Sequence, residues 1–178
     1  VRIENSQLSG FPGFGSEGQL RLINNRSSFF HNLIVANNPS STGITVYADA
    51  ADSSHLWFNS VRSFNNASDG LYFRGNSPGI TRDMLVTNSI FANNGGNGIA
   101  VNQQLQNSLL MNDLAANNGA VGFSVVGSMS SQDNTLMNVV AVFNMTGGLR
   151  PGSNSQIINS GFAKNGGLGG GTAPGGGK

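Results

Sequence analysis

At six places in this chain an asparagine is followed six residues later by another: Asn32/Asn38, Asn59/Asn65, Asn88/Asn94, Asn112/Asn118, Asn138/Asn144 and Asn159/Asn165. The gap between successive first asparagines varies between 21 and 29 residues. Each unit therefore has a fixed kernel and elastic loops, as one turn of a solenoid does.

The residues two before and two after each first asparagine are apolar in nearly every copy. Phe30 and Ile34, Trp57 and Val61, Val86 and Ile90, Leu110 and Leu114, and Leu136 and Val140 fill these places, and the last copy has Ile157 with Gly161. Four residues after the asparagine the side chain is small: Ala36, Ser63, Ala92, Ala116, Val142, Ala163. A period of two denotes extended strand rather than helix. On that period apolar, Asn, apolar, small and Asn share one inward face, so all twelve asparagines are expected inside, and Trp57 with them. A buried amide needs partners, and its equivalents in the coils above and below supply both donor and acceptor. Such a bond contributes about 0.5–1.5 kcal/mol net, whereas an unpaired buried amide costs about 1–3 kcal/mol, so a ladder of this kind enforces register.

A glycine followed by apolar, any residue, apolar comes after each asparagine pair. It reads Gly43-Ile44-Thr45-Val46, Gly70-Leu71-Tyr72-Phe73, Gly98-Ile99-Ala100-Val101 and Gly122-Phe123-Ser124-Val125, with Gly148-Leu149 as a weaker fifth copy. The glycine enters a strand whose two apolar residues point inward.

Kernel and glycine strand together resemble the right-handed parallel β-helix repeat of the pectate-lyase-like superfamily, with its internal asparagine ladder. The resemblance covers about residues 28 to 168. It implies an all-β, single-stranded solenoid of six to seven coils, a rod roughly 30 Å long at ~4.8 Å per coil. It does not imply one activity, because that architecture serves lyases, hydrolases, tailspikes, adhesins and passive scaffolds.

Three segments are expected. Residues 1–27 read as an incomplete N-terminal coil, with Ile3-x-Asn5 and Leu20-Arg21-Leu22 as fragments of the kernel and second strand around a Gly/Phe-rich insertion at Gly10 to Gly18. Residues 28–168 are the repeats, and 169–178 a flexible Gly-rich tail. A lone coil buries too few apolar side chains to offset the ordering of its backbone, so the coils must fold as a stack. Both ends look cut inside a coil, and open coil edges invite self-association or another protein subunit.

With nine Lys and Arg against eight Asp and Glu, the net charge of +1 makes no electrostatic case for nucleic acid or an anionic membrane. Cysteine is absent, and His31 and His55 stand too far apart for a zinc motif, so no metal or cofactor is expected. No apolar run is long enough for a transmembrane span, and the sequence begins at Val1 without a charged-plus-apolar signal segment.

In the enzymes the pattern resembles, acids, calcium ligands and basic groups cluster on the outward face of the glycine-led strand. Here those positions read Thr45, Tyr72, Ala100, Ser124 and Arg150, then Tyr47, Arg74, Asn102 and Val126, without a carboxylate. A glycosidase needs paired carboxylates and a calcium-dependent lyase several converging oxygens, so no catalytic residue is assigned. Consecutive coils should nonetheless bring Tyr47, Asp49, Asp52, Tyr72, Arg74, Arg82 and Asp83 to one side, with His55 nearby. Aromatic rings with Arg and Asp groups suit a glycan, through stacking and directional hydrogen bonds.

Among other residues, His31 reads as solvated and Asp69-Gly70 as a turn. Three glycosylation sequons, starting at Asn25, Asn66 and Asn144, carry little weight in an Asn/Ser-rich chain. A threonine-array ice-binding face does not fit Thr45, Tyr72, Ala100, Ser124 and Arg150, which vary in size and charge. The function expected is a non-enzymatic extracellular or cell-surface module, bacterial, structural or adhesive, and part of a larger assembly or filament. The alternative is a polysaccharide-binding or polysaccharide-degrading β-helix.

Overall fold

The computed structural model describes residues 1–12, 17–128 and 131–166. The expected tail at 169–178 and the middle of the Gly/Phe-rich insertion lie outside the described residues. The chain is an all-β solenoid in which every strand pairing is parallel.

Each coil contributes to three columns of stacked strands. The first column runs through the front halves of Arg2–Ser9 and Arg26–Ala36, then Ser53–Asn59, Leu85–Thr87, Leu109–Met111, Thr135–Met137 and Gln156–Ile158. The second runs through the back halves of the same two long strands, then Arg62–Phe64, Ile90–Ala92, Leu114–Ala116, Val140–Val142 and Gly161–Ala163. The third is a six-stranded sheet of Leu20–Ile23, Ile44–Ala48, Leu71–Gly75, Ile99–Val101, Val121–Ser124 and Gly147–Arg150. Residues 1–27 thus supply a strand to every column. Two short strands, Thr81–Arg82 and Leu105–Gln106, extend the approach to the first column.

Between the columns lies one apolar core. Phe30, Phe58, Val86, Leu110 and Leu136 are fully buried at equivalent places in the first column. The Phe30 and Phe58 rings stack with centroids 4.9 Å apart. Ile44, Leu71, Ile99 and Phe123 close the core from the third column.

The corners overturn the simple period of two. Asn32, Asn88, Asn112, Asn138 and Asn159 have φ between 46° and 58°, and so do Asn37, Asn65, Asn93 and Asn117 one corner later. This left-handed conformation is one that asparagine adopts more readily than other side-chain-bearing residues. It turns the chain so that two successive residues face outward. In the coil of Asn88 the inward residues are Val86, Ser89, Phe91 and Asn94, while Asn88, Ile90, Ala92 and Asn93 face out. Outside the second coil, where Val61 and Ser63 are buried, the first asparagines, the apolar residues after them and the small residues four places on therefore face outward, contrary to expectation. They are not idle there. Asn88 donates to Asn59 at 3.0 Å, Asn112 to Asn88 and Asn138 to Asn112 at 3.1 Å, and Asn32 to Asn5 at 2.8 Å, an outer ladder on the first corner.

The inner ladder is Asn38, Asn66, Asn94, Asn118, Asn144 and Asn165. Its side-chain amides donate coil to coil at 2.8–3.0 Å from Asn66 onward, while Asn38 donates its backbone N–H to Asn66 Oδ1 at 3.2 Å. Asn65 is not in this ladder; it faces out and donates to Asn37 at 3.1 Å. The second coil is offset by one residue from the Asn59/Asn65 pair, because its corners fall at Ser60 and Asn65, with φ of 56° and 55°. Two of the three sequon asparagines, Asn66 and Asn144, belong to the sealed inner ladder.

The recurring glycines fit against that ladder. A Cβ built on Gly43, Gly70, Gly98, Gly122 or Gly148 would lie 2.7–3.0 Å from the Nδ2 of Asn66, Asn94, Asn118, Asn144 or Asn165 respectively. The glycine that opens each third-column strand is what lets the amide of the next coil come so close. No helix among the described residues is long and apolar enough to cross a membrane.

Candidate functional site

The outward face of the third column carries the residues expected there, in register: Thr45 beside Tyr72, Tyr72 beside Ala100, Ala100 beside Ser124, and Ser124 beside Arg150. Thr45 is buried, because its hydroxyl accepts the Gly18 N–H at 3.1 Å. The usable surface therefore begins one step along the strand, where Tyr47 pairs with Arg74.

The eight residues anticipated as one cluster fall into two. In the first, the Tyr47 ring lies between two guanidinium groups, with the Arg74 Cζ 5.0 Å and the Arg21 Cζ 5.5 Å from its centroid. Asn76 donates to the Tyr47 hydroxyl at 2.5 Å and to Asp49 Oδ1 at 3.5 Å, and the hydroxyl itself donates to Asp49 at 3.4 Å. Tyr72 stands half-buried on the neighbouring position, and burial pushes its phenol above the ordinary tyrosine range. Cation–π contacts of this kind hold a ring flat and lend its surroundings positive charge.

The second cluster centres on Arg82. Its Nε meets Asp52 Oδ2 at 3.0 Å and its Nη1 meets Asp83 Oδ2 at 2.6 Å. His55 Nε2 lies 3.8 Å from the same Asp83 oxygen. The hydrogen bond from Arg82 holds Asp52 below the usual carboxylate range, helped by the Ile80 N–H, which donates to its other oxygen at 3.0 Å. Both carboxylates share one guanidinium, an arrangement suited to clasping the loop 49–52 against the next coil. Asp49 turns to the first cluster and Asp52 to the second.

Three of the remaining acids pair elsewhere. Asp69 accepts the backbone and side-chain N–H groups of Asn97 at 2.6 and 2.8 Å, and burial raises its carboxyl above the usual range. Glu4 pairs with Arg2 at 2.8 Å and Glu17 with Arg21 at 2.7 Å. Among the described residues, no group of three or more His, Cys, Asp or Glu stands close enough to hold a metal ion.

Trp57 is not in the core. It is 41% exposed on the outward face of the first column, in register with Phe29 and Leu85. The core position expected of it belongs to Phe58, because of the one-residue offset of this coil. The doublets Asn37-Asn38, Asn65-Asn66, Asn93-Asn94 and Asn117-Asn118 carry the signal that would have set the frame correctly. His31 is half-buried, stacked on Phe29 with ring centroids 5.8 Å apart.

No family model matches the chain, and no curated protein does. Solved structures do. The A-module of the mannuronan C-5 epimerase AlgE4 from Azotobacter vinelandii superposes with a TM-score of 0.60 at 13% identity, over 94% of this chain and 54% of that one. A mutant of the periplasmic alginate epimerase AlgG superposes with a TM-score of 0.58 at 15% identity, over 88% of this chain and 34% of that one. The chain thus spans about half the length of the first and a third of the second. At this identity the likeness concerns architecture alone, that of a parallel β-helix.

Proposed function

We propose that this chain is a surface-exposed or periplasmic β-helix module that binds an anionic polysaccharide without transforming it. The observation that carries the reading is the Tyr47 ring held between Arg21 and Arg74 on the outward face of the third column. The Arg74 guanidinium, held against the Tyr47 ring, suits pairing with the carboxylate of a uronate residue. The names of both structural neighbours, which state action on mannuronan and on alginate, support the same class of ligand. The non-catalytic part of the reading is supported by the pairing of Asp52 and Asp83 on one arginine, which leaves them poorly disposed as an acid and base across a glycosidic bond.

An adhesive role in a larger assembly belongs to this reading. Among the described residues the rungs Arg2–Ser9 and Gln156–Ile158 each pair on one side only, and another subunit could continue the stack there.

Affinity electrophoresis and calorimetry with polymannuronate, polygalacturonate and an uncharged glucan test the proposal. The uronate polymers should bind, Tyr47→Ala and Arg74→Ala should each weaken binding about tenfold, as loss of one charge-assisted or stacking contact does, and salt should weaken it further. Equal binding by both variants and the parent overturns the assignment to this face. Epimerised or cleaved product after prolonged incubation overturns its non-catalytic part.

A further inference from the structure

The outward face of the first column carries an aromatic platform that the Tyr47 reading does not use. Trp57 and Phe29 sit side by side in register, with ring centroids 4.9 Å apart and planes tilted by 59°. Neither ring is loose. The Trp57 indole N–H donates to the Thr87 hydroxyl at 3.1 Å, and that hydroxyl donates to Asn59 Oδ1 at 3.1 Å. Phe29 is contacted by the parallel His31 ring, with centroids 5.8 Å apart, and by the Arg2 guanidinium 5.5 Å from its centroid. Asn59 and His31 bond each other at 3.2 Å through Nδ2 and Nδ1, which closes a polar border beside the rings.

A large aromatic side chain is costly to leave in water, and this one is fixed in place by a hydrogen bond to the coil above. A side chain already ordered loses little entropy when a ligand covers it. We infer that Trp57 and Phe29 form a stacking site for the apolar face of an uncharged, equatorially substituted oligosaccharide, with Asn59 and His31 as its hydrogen-bonding border.

Three features select this occupant. The strip is bordered by the Asn59 amide and the His31 imidazole, which bond each other and have further donor and acceptor capacity to offer hydroxyls at the edge of the rings. Its one cation, Arg2, is paired with Glu4 at 2.8 Å, so the strip has no net charge to attract a polyanion. One exposed ring with a half-buried neighbour falls well short of the roughly 800 Å² per partner that a stable protein interface buries. The site lies on a different column from Tyr47 and stands or falls independently of it.

Trp57 is the only tryptophan of the chain, so its emission reports on this site alone. Cellohexaose, added to the full chain, should shift and saturate that emission. Phe29→Ala, which keeps the reporter, should weaken the response at least fivefold, and Tyr47→Ala should leave it unchanged. Calorimetry should find no cellohexaose binding by Trp57→Ala with its β-sheet circular dichroism intact. No emission change up to millimolar sugar overturns the inference, as does a change with oligomannuronate alone. An emission shift that follows protein concentration without sugar, with a matching rise in sedimentation coefficient, overturns it in favour of a second copy on this face. Loss of polymannuronate binding in Tyr47→Ala bears on the other face only.

Discussion

Asp113 occupies an interior place where the neighbouring coils have Ser89 and Val139. Its Oδ1 accepts the Ser89 N–H at 2.8 Å, while Oδ2 has no hydrogen-bond partner among the described residues. Burial pushes its carboxyl up to about 8, against 3.8 for the free side chain, and the N–H groups of Ser89 and Met111 only partly oppose that. The folded chain thus holds this proton more tightly than the unfolded chain does. Asp113 therefore contributes stability that is complete below about pH 4 and is lost as pH rises toward about 8, a change of several kcal/mol. Asp69 titrates in the same direction, Asp52 and Glu4 in the opposite one, so the parent's total profile mixes these effects. Asp113→Ser isolates the term. The serine at the equivalent place, Ser89, accepts the Val61 N–H at 3.1 Å and donates to the Thr87 carbonyl at 2.8 Å, and a serine at 113 has the same options. Urea denaturation from pH 4.5 to 8.5 should find the variant gaining on its parent steadily with pH. Parallel profiles for the two would mean that Asp113 is not buried in its neutral form.

At the scale of the element, a third-column strand is inseparable from the asparagine corner that precedes it. A Cβ on Gly98 would meet the Gly122 carbonyl oxygen at 2.6 Å, the Ala115 Cβ at 2.9 Å and the Asn118 Nδ2 at 3.0 Å, so Gly98→Ala should cost about 1–3 kcal/mol by overpacking. Gly161 begins a second-column strand with nothing within 4 Å of such a Cβ, and Gly161→Ala should be close to neutral. Equal effects in thermal melts would refute the packing role of the glycine. Much of this was legible beforehand, because glycine, alternating apolar residues and paired asparagines recur in five or six copies, and repetition specifies a stack. The direction of each side chain at the corners was not. It depends on which residue takes a positive φ, and two adjacent asparagines such as Asn93 and Asn94 are identical in sequence yet face opposite ways. That is why the Asn59 frame slipped by one residue and hid the platform around Trp57, while Tyr47 and Arg74, counted from Gly43 and Gly70, came out side by side.

The whole molecule is held together coil by coil, since the ladder bonds span 21 to 28 residues and join each coil to the next. Stability in such a stack approximates a sum of coil terms and nearest-neighbour terms. A side chain in the middle of the stack therefore supports two interfaces, and one in the last rung supports one. Phe91 lies between Ser63 and Ala115 and is fully buried. Among the described residues Phe162 pairs with Ala141 alone and is half-buried, although it packs against the same core. Both interrupt small residues, so each fills space that its neighbours leave. Phe91→Ala opens a cavity that the flanking coils cannot fill and should cost about 3–5 kcal/mol. Phe162→Ala can be hydrated and should cost less than half of that. Hydrogen exchange gives the spatial counterpart: in Phe91→Ala, amides of the coils on both sides should lose protection together, whereas in Phe162→Ala the loss should stay within the last rung. Protection lost uniformly from end to end in Phe162→Ala would contradict nearest-neighbour coupling and mean that the rod unfolds as one unit.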